Sequence, residues 1–173
     1  MKLNSIIRIT VILTLVLLNV GCDQLSKKIV REHIAPNERI EVIKDNLILM
    51  KVENTGAAYS FGSDLNPIIK RIVLQILPAI VLIIMLYLSL IKSKYPNEMV
   101  FGFCFIIGGG IGNIFDRIVY GSVTDFLYVD LGFFNTEIFN LADVSIVIGS
   151  LILLAHTIID WWQNNHPNKF LES

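Results

Sequence analysis

The chain has 173 residues, 54% of them apolar and 17% charged, and its mean hydropathy of +0.64 is too high for an ordinary soluble domain, which points to a membrane protein. Fourteen Lys and Arg against 15 Asp and Glu leave a net charge of −1, so no basic surplus exists to neutralise phosphates, and nucleic-acid binding is excluded along with disorder. Two cysteines, Cys22 and Cys104, lie in or beside apolar runs and cannot supply a four-cysteine zinc site or a disulfide framework.

A hydrocarbon core about 30 Å thick needs about 20 apolar residues in helical form. Four stretches approach that length, at about residues 6–21, 72–91, 99–117 and 142–160. The first is interrupted by Arg8, Thr10, Thr14 and Asn19, and the small residues Gly21 and Cys22 read as its end. A second reading takes Lys2, the apolar run and Gly21-Cys22 as a lipoprotein signal; Asn19 inside the box and the three later spans count against it. In the loop of about 22–71, residues 39–52 alternate apolar and charged around Asp45-Asn46, which predicts a strand, a turn and a strand. Span two carries no charge, and Pro78 near its start is expected to kink it, as neighbouring helices in a membrane tolerate. Span three is uncharged and glycine-rich, and the loop of about 118–141 offers residues 123–129 and 133–139, separated by Asp130 and Gly132, as a second short strand pair. Span four runs between Asp143 and Asp160 and closes on Trp161 and Trp162 as an interfacial belt.

The expected fold is therefore a membrane all-α protein: one domain over 1–173, four transmembrane helices and a small sheet resting on the membrane surface. Four spans put both termini on one side. Basic residues do not fix which side: Lys2, Arg8, Lys92, Lys94 and Lys169 accompany the termini and the short loop, whereas the long loop holds eight, largely matched by seven acidic residues.

Charged side chains near a bilayer are expensive, so those retained at span ends are candidate functional groups. Asp116 and Arg117 end span three, Asp125 follows in Gly121-Ser122-Val123-Thr124-Asp125-Phe126, and Asp143 opens span four in Phe139-Asn140-Leu141-Ala142-Asp143; all face one loop. Asp125 and Asp143 can converge at the helix mouth. Two carboxylates in contact cannot both ionise cheaply, so a pair can act as general base on water and general acid to a carbonyl or leaving amine. Against this, Asn140 could simply cap span four with Asp143 at its third position, and Asp125 could be a solvated loop residue. Asp116 reads as an ion pair with Arg117. Gly108 and Gly112 form a Gly-x-x-x-Gly face for close helix approach rather than a phosphate loop, since no Lys-Ser/Thr follows. Asn113 and Arg117 lie one and two turns beyond Gly109 and carry polar groups to the mouth. No Gly-x-Ser-x-Gly or His-Glu-x-x-His is present, His156 stands alone deep in span four as a packed or hydrogen-bonding residue, and Cys104 reads as a small core residue. A carrier or assembly factor with aspartates along an ion path is the rival reading, but it would place polar groups at mid-span.

These motifs resemble the bacterial lipoprotein signal peptidase family (signal peptidase II) over nearly the whole chain. Asp23-Gln24-Leu25-Ser26-Lys27 is similar to its Asp-Gln-x-Ser/Thr-Lys, and Asn54-Thr55-Gly56-Ala57-Ala58-Tyr59 to its Asn-x-Gly-Ala-Ala-Phe, with Tyr59 in place of Phe. The blocks at 109–117, 121–126 and 139–143 follow in order and at similar spacing. The resemblance implies that Asp125 and Asp143 are a catalytic dyad and that the enzyme cleaves the signal peptide from a diacylglyceryl-modified prolipoprotein immediately before the lipidated cysteine. It implies an inner-membrane protein with cytoplasmic termini, a periplasmic β-cradle and a mobile covering segment around 54–61. On this basis Asn54, Asn113, Arg117 and Asn140 are expected to orient the dyad and the substrate backbone. Gly56 and Ala57 would let the covering loop approach, and Asp23 and Lys27 would brace that loop or the helix end. No metal or cofactor is expected; the partners are the prolipoprotein and membrane lipid, with the enzyme as a monomer.

Overall fold

The structure, a computed structural model, describes residues 5–36, 38–57, 62–91 and 95–166. Lys2, Lys92, Lys94, Lys169 and the 58–61 part of the covering motif lie outside the described residues. In chain order the elements are α1 (Ser5–His33), β1 (Arg39–Ile43), β2 (Leu47–Asn54), α2 (Pro67–Arg71), a π-helical turn (Ile72–Ile76), α3 (Leu77–Ile91), α4 (Asn97–Val119), β3 (Val123–Val129) and α5 (Leu141–Asn165). Four helical segments, Ile6–His33, Pro67–Ile91, Asn97–Val119 and Leu141–Asn165, are long and apolar enough to cross a membrane.

The first helix does not end at Gly21-Cys22. It runs on to His33, because no Pro or Gly interrupts residues 22–33 and the Asp23 and Lys27 side chains, one turn apart, form an ion pair of 2.8 Å that is wholly buried. The second polar motif of the sequence is therefore a helix face and not a loop. Pro78 lacks the N–H that a regular helix would use, and the chain accommodates it with the preceding π turn, in which Leu77 N–H bonds Ile72 O five residues back.

Helix α4 packs against α1, α3 and α5. Its glycines are what allow this: a Cβ on Gly109 would collide with the carbonyl oxygen of Ala142 in α5, and one on Gly108 would meet Asn19 Cβ of α1 at 2.5 Å. Without a hydrophobic driving force between helices in lipid, such close backbone approach supplies the van der Waals contact that holds a bundle. Ile12, Val16, Leu82, Val100, Cys104 and Ile107 form its buried core.

The expected second strand pair does not form as a separate unit. β1, β2 and β3 make one antiparallel sheet in that order, and the 133–139 stretch runs back along the other side of β3 through the bridge Leu127↔Phe139 and the bonds between Thr136 and Val129, without forming a regular strand. β3 turns to β2 because its buried face seats Phe126 on Val30 and Ile34 at the end of the lengthened α1.

The pairing expected for Asp116 is also different. Asp116 bonds Lys27 at 3.0 Å and Arg31 at 2.9 Å, whereas Arg117, the next residue on the helix, points about 100° away and donates to the backbone oxygen of Gly56 at 2.9 Å. Lys27 thus lies between two carboxylates with no exposed surface on any of the three side chains. Replacing it by Met should leave Asp23 buried without a counter-ion and Asp116 with Arg31 alone, at a cost of about 3–5 kcal/mol. Thermal unfolding in detergent should show this as a large drop for Lys27→Met that is partly restored when Asp23→Asn and Asp116→Asn are added.

Candidate active site

At the end of the bundle that carries the sheet, three elements deliver two carboxylates. Asp125 is the third residue of β3 and pairs in register with Val52 of β2. Asp143 is the third residue of α5, whose N-cap is Asn140. The cap is reciprocal: Asp143 N–H donates to Asn140 Oδ1 at 3.0 Å, and Asn140 N–H donates to Asp143 Oδ2 at 3.1 Å. Capping and site-building are therefore the same residues, and the two readings open from the sequence are not exclusive.

Every carboxylate oxygen of the pair accepts a bond from an amide. Asp125 Oδ2 accepts from Asn54 Nδ2 at 3.0 Å and its Oδ1 from Asn140 Nδ2 at 2.6 Å. Asp143 Oδ1 accepts from Asn113 Nδ2 at 2.8 Å, and Oδ2 takes the Asn140 backbone bond already described. The orientation of these amides is forced. Asn140 Oδ1 is occupied by a backbone N–H, so its NH₂ must turn toward Asp125; Lys27 Nζ, which can only donate, holds Asn113 Oδ1 at 2.9 Å and turns that NH₂ toward Asp143. Asn54 Oδ1 accepts from Gly56 N–H at 2.9 Å, which leaves its NH₂ for Asp125 and for Ala57 O at 3.2 Å.

A cavity of about 280 Å³ is lined by Asn54, Ala57, Asn113, Arg117, Asp125 and Asp143 together with the apolar side chains of Ile138, Ile146 and Val147. Asp125 is 4% exposed, and burial raises its pKa to about 6; the charge of Asp143 adds to the rise, while the bonds from Asn54 and Asn140 oppose it. A carboxyl poised near neutrality beside a second carboxylate can take a proton from water and return one to an oxygen or nitrogen. No group of three or more His, Cys, Asp or Glu able to hold a metal occurs among the described residues.

Of the residues singled out from the sequence, Gly56 lies behind the cavity and presents its oxygen to Arg117. Asp23 and Lys27 lie outside the cavity lining: Asp23 Oδ1 accepts the Ala142 N–H of α5 at 3.0 Å, and Lys27 reaches the site only through Asn113. Further support was not read from the sequence. Gln24 bonds Asp116 at 3.0 Å and Gly112 O at 3.2 Å. Arg31 bonds Thr124 Oγ1 at 2.8 Å and stacks on Tyr120 at 3.9 Å. Thr124 and Ser122 hydroxyls both donate to Glu53. The spacing Asp23, Lys27, Arg31 is a helical face, and extending the first helix past Gly21 would have revealed it.

A family profile described as signal peptidase (SPase) II matches residues 15–159. The chain is 35% identical over 141 residues to a lipoprotein signal peptidase of Enterococcus faecalis, covering 82% of this chain and 83% of that one. It is 35% identical over 157 residues to one from Chlorobium phaeobacteroides, covering 84% and 89%. A solved bacterial membrane enzyme superposes with a TM-score of 0.78 at 26% identity, over 87% of this chain and 89% of that one. With a polar carboxylate site at the end of four membrane-spanning helices and a profile match across most of its length, this chain belongs to the signal peptidase II family.

Proposed function

We propose that the chain is the endopeptidase that removes the signal peptide from diacylglyceryl-modified prolipoproteins, cutting before the lipidated cysteine with Asp125 and Asp143 as catalytic dyad. The observation that carries this is the convergence of the two aspartates on one cavity with every carboxylate oxygen held by an amide donor. In this mechanism the dyad shares one proton. The ionised carboxylate takes a proton from a water as the water oxygen attacks the carbonyl carbon preceding the cysteine, and the protonated carboxyl donates to the carbonyl oxygen. Collapse of the tetrahedral intermediate breaks the C–N bond, and the proton held by the base passes to the leaving amine. Asn54, Asn113 and Asn140 hold the carboxylates, and Arg117, aimed at Gly56 O, ties the covering segment to α4. This chemistry uses no metal or cofactor.

In this reading the termini are cytoplasmic, the site lies near the periplasmic face of the bacterial inner membrane, and the sheet forms the periplasmic cradle. A monomer carries the complete site. The lipid on the substrate explains why the carboxylates sit at the end of a helix bundle, where an acyl chain stays in hydrocarbon while its peptide reaches water. A transport role is not favoured, because Asp116, Asp125 and Asp143 gather at one end of the bundle instead of lining a path through it.

Asp125→Asn and Asp143→Asn should each lower turnover by about 10²–10⁴-fold with a melting temperature near that of the wild type. A gel-shift assay in detergent, comparing a lipid-modified prolipoprotein with its unmodified precursor, should show cleavage of the modified form alone. Near-normal turnover by either variant removes that residue from the dyad, and cleavage of both precursors removes the requirement for lipid.

The pH profile of kcat/KM reports the free enzyme. Activity needs one proton on the dyad, so it should fall as pH rises through the Asp125 pKa of about 6. The Asn54 amide stabilises the ionised form, so its removal raises that pKa: Asn54→Ala should move the alkaline limb to higher pH even as the maximum falls. A limb that stays in place or moves to lower pH contradicts the assignment.

A further inference from the structure

Two cavities outside the catalytic one share Ile118 as a wall residue. The first, about 270 Å³, is a recess beside the start of the second span, lined by Lys70, Arg71, Gln75, Arg117 and Ile118 among others. No Asp or Glu lines it. Among the described residues none of its three cations forms an ion pair, and residues 58–61, which lie outside them, contain no acid. Lys70 Nζ donates only to the neutral oxygen of Ser63, at 3.2 Å. Arg117 also faces the catalytic aspartates, so Lys70 and Arg71 carry the charge surplus of the recess. In a chain with a net charge of −1, this is a local accumulation that calls for an anion.

The second cavity, also about 270 Å³, is a groove between α3 and α4 whose lining is hydrocarbon throughout, from Ala79 and Leu82 on one side to Ile107, Ile111 and Ile118 on the other. It lies within helices that cross the membrane. A cationic recess at the end of a span, sharing the wall residue Ile118 with an apolar groove along that span, is complementary to one kind of molecule: an anionic head attached to an acyl chain.

We propose that this composite surface is a binding site for an anionic phospholipid, with its phosphate between Lys70 and Arg71 and one acyl chain in the groove beneath Ile118. A zwitterionic lipid neutralises its own phosphate and gains less from two basic side chains, so the site discriminates by net charge. The assignment does not depend on the peptidase chemistry, because neither Lys70 nor Arg71 touches the catalytic cavity.

The test is native mass spectrometry of the purified full-length protein released from mixed micelles containing phosphatidylglycerol and phosphatidylcholine at equal concentration. Wild type should retain one phosphatidylglycerol with a preference of about tenfold over phosphatidylcholine. The Lys70→Gln/Arg71→Gln variant should lose that preference. Ala79→Phe, which fills the groove and leaves the charges alone, should reduce retention of phosphatidylglycerol as strongly, and a melting temperature near that of wild type shows that each variant is folded. Equal retention of the two lipids by wild type overturns the proposal, as does unchanged retention in both variants. Protection by inorganic phosphate equal to that by the lipid removes the acyl chain from the site. Retention of uncharged diacylglycerol equal to that of phosphatidylglycerol assigns the groove to the lipid of the substrate instead.

Discussion

A single ammonium group, Lys27 Nζ, organises the polar end of this molecule. It is buried without exposed surface and contacts Asp23, Asp116 and Asn113 at 2.8, 3.0 and 2.9 Å. A charge removed from water is tolerable only when its partners are close and their remaining lone pairs are satisfied. Each partner meets that condition by reaching to another element. Asp23 accepts a backbone N–H at the start of α5, Asp116 accepts from Arg31 and lies at 3.4 Å from the Thr124 N–H of β3, and Asn113 turns its NH₂ to Asp143. Four elements, α1, α4, α5 and β3, thus share one electrostatic centre, and the register between sheet and helices follows from it.

The proposed dyad inherits its asymmetry from the elements that bear it. Asp143 sits in the first turn of a helix, bonded to the backbone N–H of its own N-cap residue, and it is only half-buried. Asp125 sits on a strand, 4% exposed, with no helix end to stabilise it, and burial wins over two amide bonds to hold its pKa near 6. The amides keep both groups in place without supplying a full charge that would fix either protonation state, and Lys27 acts on them from one residue further back.

Close helix approach makes this geometry affordable within a membrane protein. The Gly109 contact with Ala142 and the packing of Gly108 on α1 bring three helix backbones together directly below the site. Asn113 then spans directly from α4 to Asp143 at 2.8 Å and to Asn140 at 3.2 Å. A side chain larger than hydrogen at Gly109 would push α5 outward and take Asp143 with it, and one at Gly108 would push α1 away.

The sequence by itself determined the membrane class, the four spans and the sheet-forming loop, and it singled out Asp116, Asp125 and Asp143 as candidates, because apolar run length and the cost of a charge near lipid are local properties that need no partner. It also placed Asn113, Arg117 and Asn140 beside the site through helical spacing and capping. What it left open were properties of contact. The first helix passes Gly21 because its polar turn finds carboxylate and amide partners on α4, which no window along α1 contains. Asp116 ignores its neighbour in sequence for Lys27 and Arg31, because adjacent residues on a helix point in different directions. β3 joins β2 in one sheet as well as bonding the stretch that follows it, because the hydrophobic seat for Phe126 is on α1. Tertiary structure decided these three points for one reason: the low dielectric of the interior makes every buried polar group seek whichever partner folding brings near, wherever it lies in the chain.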